Sequence, residues 1–259
     1  MSSHGQPHDS LAYRNEAFLD SEDARPLRIL SEYLEPMHVF HAERIRDTIV
    51  FFGSARLSPE GPLGHYYEAA RELARLVTMW SKSLASHAHR YVVCTGGGGG
   101  IMEAANRGAS EAGGKTVGLN IALPHEQVPN RYLTRELTFQ FHYFFMRKLW
   151  FAHLARALVV FPGGFGTLDE LTEILTLMQT RRFGRDIPIV LYGSSYWNEI
   201  INFNALVRHA MIDPEDLALF RFADDPVSAL ELLQKGIAAE LDEETPAIAH
   251  SRSAKTNGA

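Results

Sequence analysis

The chain has 259 residues, 46% of them hydrophobic and 22% charged, which suffices for a sizeable core and rules out a wholly disordered polymer. Lys and Arg number 25 against 31 Asp and Glu, a formal net charge of −6 that argues against non-specific binding to nucleic acid or an anionic membrane. A single cysteine excludes an intrachain disulfide framework and a multi-cysteine zinc site and fits a reducing, cytoplasmic setting. No apolar run approaches the roughly 18–20 residues of a membrane span. The opening MSSHGQPHDS lacks the basic start and apolar stretch of a secretory signal.

Residues 1–45 read as a flexible arm followed by a helix over 26–40, where Leu27, Leu30, Leu34 and Met37 recur at roughly helical spacing. From there the pattern alternates. TIVFFG at 48–53 is a short apolar strand, and 66–84 carries helical periodicity. YVVCT at 91–95 is a second strand that runs into five glycines. A helix is expected over 101–112, strands over 116–121 and 137–141, and a helix over 144–155. ALVVF at 157–161 is a strand, 167–181 a long helix, and IPIVLY at 187–192 the last core strand. Further helices are expected over 198–211 and 226–240. The stretch 46–240 reads as one domain, and 241–259, rich in Glu, Ala, Ser and Thr, as a disordered tail. Strands of four to six nearly all-apolar residues between helices predict an α/β fold: a doubly wound parallel sheet, Rossmann-like, with helices on both faces.

Such a sheet binds ligands at the carboxyl ends of its strands. Gly53 and Ser54 follow the first strand, Gly96–Gly100 the second, Arg147 lies early in the helix after the fourth, and 162–170 follow the fifth. If the strands are parallel, these segments converge on one edge. In CTGGGGGIMEAANRG the glycines stand where strand turns into helix, so that Gly97, Gly98 and Gly99 can bring backbone N–H groups to a phosphate. No Lys-Ser/Thr pair follows, so this is no P-loop. Ile101 occupies the last glycine place of a dinucleotide fingerprint, and Asn120 stands where an acidic ribose ligand would be needed. A turn required only for packing is the competing explanation.

FPGGFGTLDELTEILTLMQ is more specific. Gly163, Gly164 and Gly166 free the backbone, Thr167 occupies a favoured N-cap position, and Leu168, Leu171, Leu175 and Met178 form a buried helical stripe. A second anion site at a helix N-terminus follows. Asp169 and Glu170 fall in the first turn, where the helix dipole favours a carboxylate even without function. Glu173 shares the face of Glu170.

The Pro162–Glu170 segment resembles the signature of the LOG ("lonely guy") cytokinin riboside 5′-monophosphate phosphoribohydrolases, whose members are often labelled possible lysine decarboxylases. Phe145-Met146-Arg147-Lys148 approximates the family's Met-x-x-Arg-Lys segment, with Met directly before Arg here. The Gly96–Met102 turn and the opening Phe51-Phe52-Gly53-Ser54-Ala55-Arg56 match as well. The resemblance spans roughly residues 46–215. It implies hydrolysis of the N-glycosidic bond of a purine nucleoside 5′-monophosphate to free base and ribose 5-phosphate, with no metal or organic cofactor. It assigns catalysis to Arg147 and Glu170, and the 5′-phosphate to the Gly163–Thr167 turn. Ser54, Met146, Phe165 and Glu173 are placed near base or ribose. The implied protein is a homodimer or higher homo-oligomer that takes a nucleotide, not a nucleic acid or a membrane, as partner.

Three rival functions stand beside this one. A decarboxylase of this kind commonly needs a lysine bonded to pyridoxal phosphate, and neither Lys115 nor Lys148 has such a setting. A non-catalytic nucleotide sensor could share the fold. DNA handling is opposed by the acidic balance. Cys94 reads as a buried thiol, His87 and His89 as solvated, and Trp80 and Trp150 as packing or interface residues. His142 and His153 flank the Arg147 helix. That helix is apolar around more than one face, as a dimer interface would require.

Overall fold

A computed structural model describes residues 11–84, 86–122 and 128–253, with backbone alone from 240 onward. Seven strands form one parallel sheet: β1 Thr48–Phe52, β2 Val92–Thr95, β3 Thr116–Ile121, β4 Thr138–Phe141, β5 Ala155–Val160, β6 Ile189–Tyr192 and β7 Arg221–Ala223. Their order is β4-β3-β2-β1-β5-β6-β7. The apolar runs are the inner strands; β1, β2, β3 and β6 are buried at every residue. A strand covered by helices on both faces has no solvent side on which to place polar residues. At the edges the pattern thins: β4 alternates, and β7 buries only Ala223.

The helices are α1 Glu16–Leu19, α2 Arg25–Ala42, α3 Gly64–Ser83, α4 Ile101–Glu111, α5 Phe144–Leu154, α6 Phe165–Gln179, α7 Ser194–Ile200, α8 Phe203–Arg208 and α9 Pro226–Ser253. Alternate residues of each strand feed two cores. Ile49 and Phe51 of β1 pack with Tyr67, Leu73 and Val77 of α3, Ala105 of α4 and Leu233 of α9. Val50 and Phe52 belong to the opposite core, with Phe40 of α2, Trp150 and Phe151 of α5 and Leu171 of α6. The chain runs outward from β1 to β4, then returns through α5 to enter on the other side of β1 as β5. After β1 it passes to a helix on one face, and after β5 to a helix on the other. A crevice opens between them, the switch point at which such sheets bind ligands.

Most element ends lie within one or two residues of the sequence reading, and the following differences matter. The helix expected over 198–211 is two helices: Asn202 interrupts it and caps α8, its side-chain oxygen accepting from the Ala205 N–H at 2.9 Å. β7 was not foreseen, because three residues with Arg221 exposed leave no apolar run to read. α6 starts at Phe165, so Thr167 lies inside its first turn and Gly164 is the N-cap. α9 continues to Ser253, where the reading ended a helix at 240 and expected disorder beyond; residues 254–259 of that tail, like 1–10 of the arm, lie outside the described residues.

The helix before β1 is bonded to the sheet domain. The Trp150 indole N–H donates to the Glu32 carbonyl at 2.9 Å, and the Glu32 carboxylate accepts from the backbone N–H groups of His142 (2.7 Å) and Tyr143 (3.2 Å). Tyr143 is the N-cap of α5 and offers no side-chain cap of its own. A carboxylate from α2 thus takes over the satisfaction of the start of α5. Cys94 is buried in β2, where burial pushes its thiol up. Among the described residues no helix is long and apolar enough to cross a membrane.

Candidate active site

A cleft of about 1350 Å³ opens at the carboxyl ends of β1 and β5. The two loops that begin it are stitched together, the Ser54 N–H donating to the Pro162 carbonyl at 3.0 Å. The loop from Arg56 to Leu63, the turn at Gly96 and Met102, Phe144 and Arg147 of α5, and the start of α6 complete the lining.

Arg147 is the fourth residue of α5, and its guanidinium is held from several sides. Nε donates to the Leu119 carbonyl of β3 at 2.7 Å, and the guanidinium carbon lies 5.1 Å from the centre of the Phe151 ring. A Cβ at Gly96 would collide with the guanidinium and with the Met102 sulfur, so this glycine is what lets the arginine lie across the end of β2. Burial pulls the Arg147 guanidinium down from its ordinary range while the Glu170 charge pulls it back up.

Glu170 stands in the second turn of α6 and is only 8% exposed. Burial pushes its carboxyl up to about 7, against the opposing pull of Arg147 and Lys148. Lys148 forms ion pairs with Asp169 (2.7 Å) and Glu173 (2.8 Å). Burial lowers its ammonium, but those bonds and the Glu170 charge outweigh this and raise it overall.

The cleft gathers Arg147, Glu170, Ser54, Gly163, Gly164, Phe165, Gly166 and Thr167, all named from sequence. Phe165 is 92% exposed, and a Cβ at Gly164 or Gly166 would stand in open space. Other predicted residues fall elsewhere. Gly97, Gly98 and Gly99 do not line the cleft. Gly97 and Gly98 are buried; the Gly97 N–H donates to Thr95 Oγ1 at 3.0 Å, and both carbonyls accept from Asn130 Nδ2. The N–H of Ile101, first in α4, is taken by the Ser54 carbonyl at 3.0 Å. The N–H groups of Gly97 and Ile101 are thus held by internal bonds, and of the five glycines only Gly96 reaches the cleft. Met146 is packed in the core with Trp150 and Leu171, since a residue one step from Arg147 on a helix faces a different way. Glu173 lies one turn beyond the cleft and pairs with Lys148. Neither His142 nor His153 lines the cleft.

Arg56, Met102, Phe144 and Tyr196 also line the cleft, and no motif in the sequence gives them a role there. The Tyr196 hydroxyl donates to the Gly163 carbonyl at 2.7 Å, fixing the turn before α6 from the far side of β6. No local motif announces that contact. Arg56 carried a weak signal in its position just past β1.

Fold and cleft define a doubly wound α/β protein with a buried glutamate and an arginine sharing the cleft at the switch point of its sheet. Residues 102–233 match the family described as "Possible lysine decarboxylase", and the chain belongs to that family, the LOG family. It is 29% identical over 176 residues to "Probable cytokinin riboside 5′-monophosphate phosphoribohydrolase LOGL5" of Oryza sativa subsp. japonica, a match covering 67% of this chain and 65%, just under two thirds, of the rice protein. With cytokinin riboside 5′-monophosphate phosphoribohydrolase LOG5 of Arabidopsis thaliana it shares 27% over 202 residues, 74% of this chain and 77% of that one. Among solved structures, the molybdenum cofactor carrier protein of Chlamydomonas reinhardtii superposes with a TM-score of 0.51 at 22% identity, covering 74% of this chain and 99% of that one; at that identity the likeness is one of fold.

Proposed function

We propose that this chain hydrolyses the N-glycosidic bond of a purine nucleoside 5′-monophosphate, AMP or a cytokinin riboside monophosphate, releasing the base and ribose 5-phosphate. The observation that carries the reading is Glu170: a buried carboxylate balanced near neutrality, beside a fixed arginine, in the only turns of α6 that reach the cleft. Loss of a base leaves oxocarbenium character on the ribose. An ionised Glu170 stabilises that charge or takes a proton from the attacking water. Arg147 keeps Glu170 ionised for part of the time that burial alone would neutralise it, and it presents a planar set of donors to the ribose or the leaving side.

The 5′-phosphate is assigned to the start of α6. The N–H groups of Phe165 and Gly166 have no intrahelical acceptor at that position, and Thr167 adds a hydroxyl. Open space at Gly164 and Gly166 leaves room for phosphate oxygens. Leu57, Met102, Phe144 and Ile200 give the remaining lining an apolar character suited to a planar base. The names of the relatives agree with this substrate class.

The decarboxylase label finds less support in the side chains. Among the described residues no lysine lines the cleft. Lys148 is held charged by two carboxylates and Lys115 pairs with Glu43 at 2.5 Å, whereas a Schiff-base lysine needs a lowered pKa and a free amine. The proposal includes a self-assembled oligomer acting on small molecules in the cytoplasm, with no cofactor. The deciding experiment follows release of free base from AMP, beside calorimetric binding, in wild type and Glu170→Gln. Turnover that falls at least about 100-fold with binding largely kept supports the enzyme. Binding without turnover in the wild type would replace it with a nucleotide-binding protein.

A further inference from the structure

Among the described residues four charged side chains line the cleft: Arg56, Arg147, Asp169 and Glu170. Their charges cancel, yet the proposed substrate brings a phosphate dianion. Arg147 is already engaged by the Leu119 carbonyl, the Phe151 ring and the Glu170 charge. The nearby Lys148 is neutralised by Asp169 and Glu173. Around the start of α6, the two cations Arg147 and Lys148 face three carboxylates, Asp169, Glu170 and Glu173, so with Glu170 ionised a phosphate seated there meets helix N–H groups in surroundings of one net negative charge. Donors at a helix terminus carry only about half a charge, too little to offset it.

Arg56 is the remaining cation. It is exposed, makes no ion pair among the described residues, and lines the same cleft. Its position is fixed at the backbone, where its N–H donates to Ser54 Oγ at 3.1 Å, two residues from the bond that ties Ser54 to Pro162. The loop after β1 is thereby anchored to the turn that leads into α6. We infer that Arg56 is a specificity-determining residue that pairs with the 5′-phosphate and makes the cleft select nucleotides over nucleosides. The inference rests on the phosphoribohydrolase reading and adds to it the residue that reads the phosphate. A guanidinium fork suits two phosphate oxygens, while its exposure in the free protein means no internal ion pair has to break when the substrate arrives.

The test compares kcat/KM for AMP and adenosine in wild type, Arg56→Ala and Arg56→Lys. In wild type AMP is preferred. In Arg56→Ala the AMP-to-adenosine ratio falls about 10- to 100-fold, the worth of one charge-assisted hydrogen-bonded pair, and Arg56→Lys recovers part of it. Thermal unfolding serves as the control for an intact fold. An unchanged ratio, or equal losses on both substrates as a contact to base or ribose would give, overturns the inference. If wild type turns over neither compound, the hydrolase reading fails separately, and calorimetry decides for Arg56. Selective loss of AMP affinity in Arg56→Ala still supports it; AMP affinity equal in the two proteins, or absent from wild type, overturns it.

Discussion

Glu170 stores a conflict between stability and activity. An unfolded glutamate titrates at 4.5, and burial moves this one to about 7. Between those values the folded protein keeps a proton that the unfolded chain has released, so this residue's contribution to stability falls as pH rises through the window. Above pH 7 a charge sits in a site that favours the neutral acid, at a cost of up to about 3 kcal/mol at roughly 1.4 kcal/mol per pH unit. Glu170→Gln should therefore be more stable than wild type at pH 8 and close to it near pH 4.5. Urea unfolding at the two pH values measures the difference, and equal gains at both would mean that ionisation of Glu170 is not the cause. Under the proposed hydrolysis the same ionisation acts with the opposite sign: kcat/KM for AMP should climb about tenfold per pH unit on the acid side and level off above pH 7. A charge costly to the fold is the charge the proposed reaction would use.

At the scale of elements, helices α5 and α6 explain what the sequence could and could not reveal. Their existence was legible from period and glycine punctuation, and so was their convergence on the ends of parallel strands. Which neighbour on each helix reaches the cleft was not. Met146 and Arg147 are adjacent in sequence but about 100° apart around α5, one in the core and one across β2. Glu173 is on the right face of α6 but a turn too deep, and Lys148 claims it. Gly97–Gly99 look like a phosphate loop, yet they lie outside the cleft, with the Gly97 N–H bonded to Thr95 and the Gly97 and Gly98 carbonyls to Asn130. Such outcomes depend on partners distant in sequence. Gly96 gives a direct test, because its missing Cβ makes room for Arg147. Gly96→Ala should lower kcat/KM by about 100-fold, the effect of displacing a positioned group by an ångström, with a stability loss of only about 1–3 kcal/mol. Full activity in a folded Gly96→Ala protein would show that the observed place of Arg147 is not required. On the other side of α5, Glu32→Ala removes the borrowed cap and should cost about 1–2 kcal/mol in chemical unfolding.

For the whole molecule the open question is what covers α5. Met146, Trp150 and Phe151 face inward, but Phe145 is 49% exposed and Leu149, one turn on, 39% exposed. Apolar side chains at positions i and i+4 make a continuous stripe, and Phe144 carries it to the mouth of the cleft. Burying a Phe or Leu side chain against a partner is worth about 1.5–3 kcal/mol, so leaving two of them in water beside the cleft is a standing cost unless a second copy covers them. The self-assembly proposed above would remove that cost and bring two clefts near one interface. Light scattering should then report a mass above the 29.0 kDa of one chain, and Phe145→Glu combined with Leu149→Glu should return it to one chain by placing unpaired charges in the contact. Neither residue lines the cleft, so dissociation can be followed separately from the chemistry. A monomeric wild type, or an assembly indifferent to both glutamates, would mean that this face of α5 is not where the copies meet.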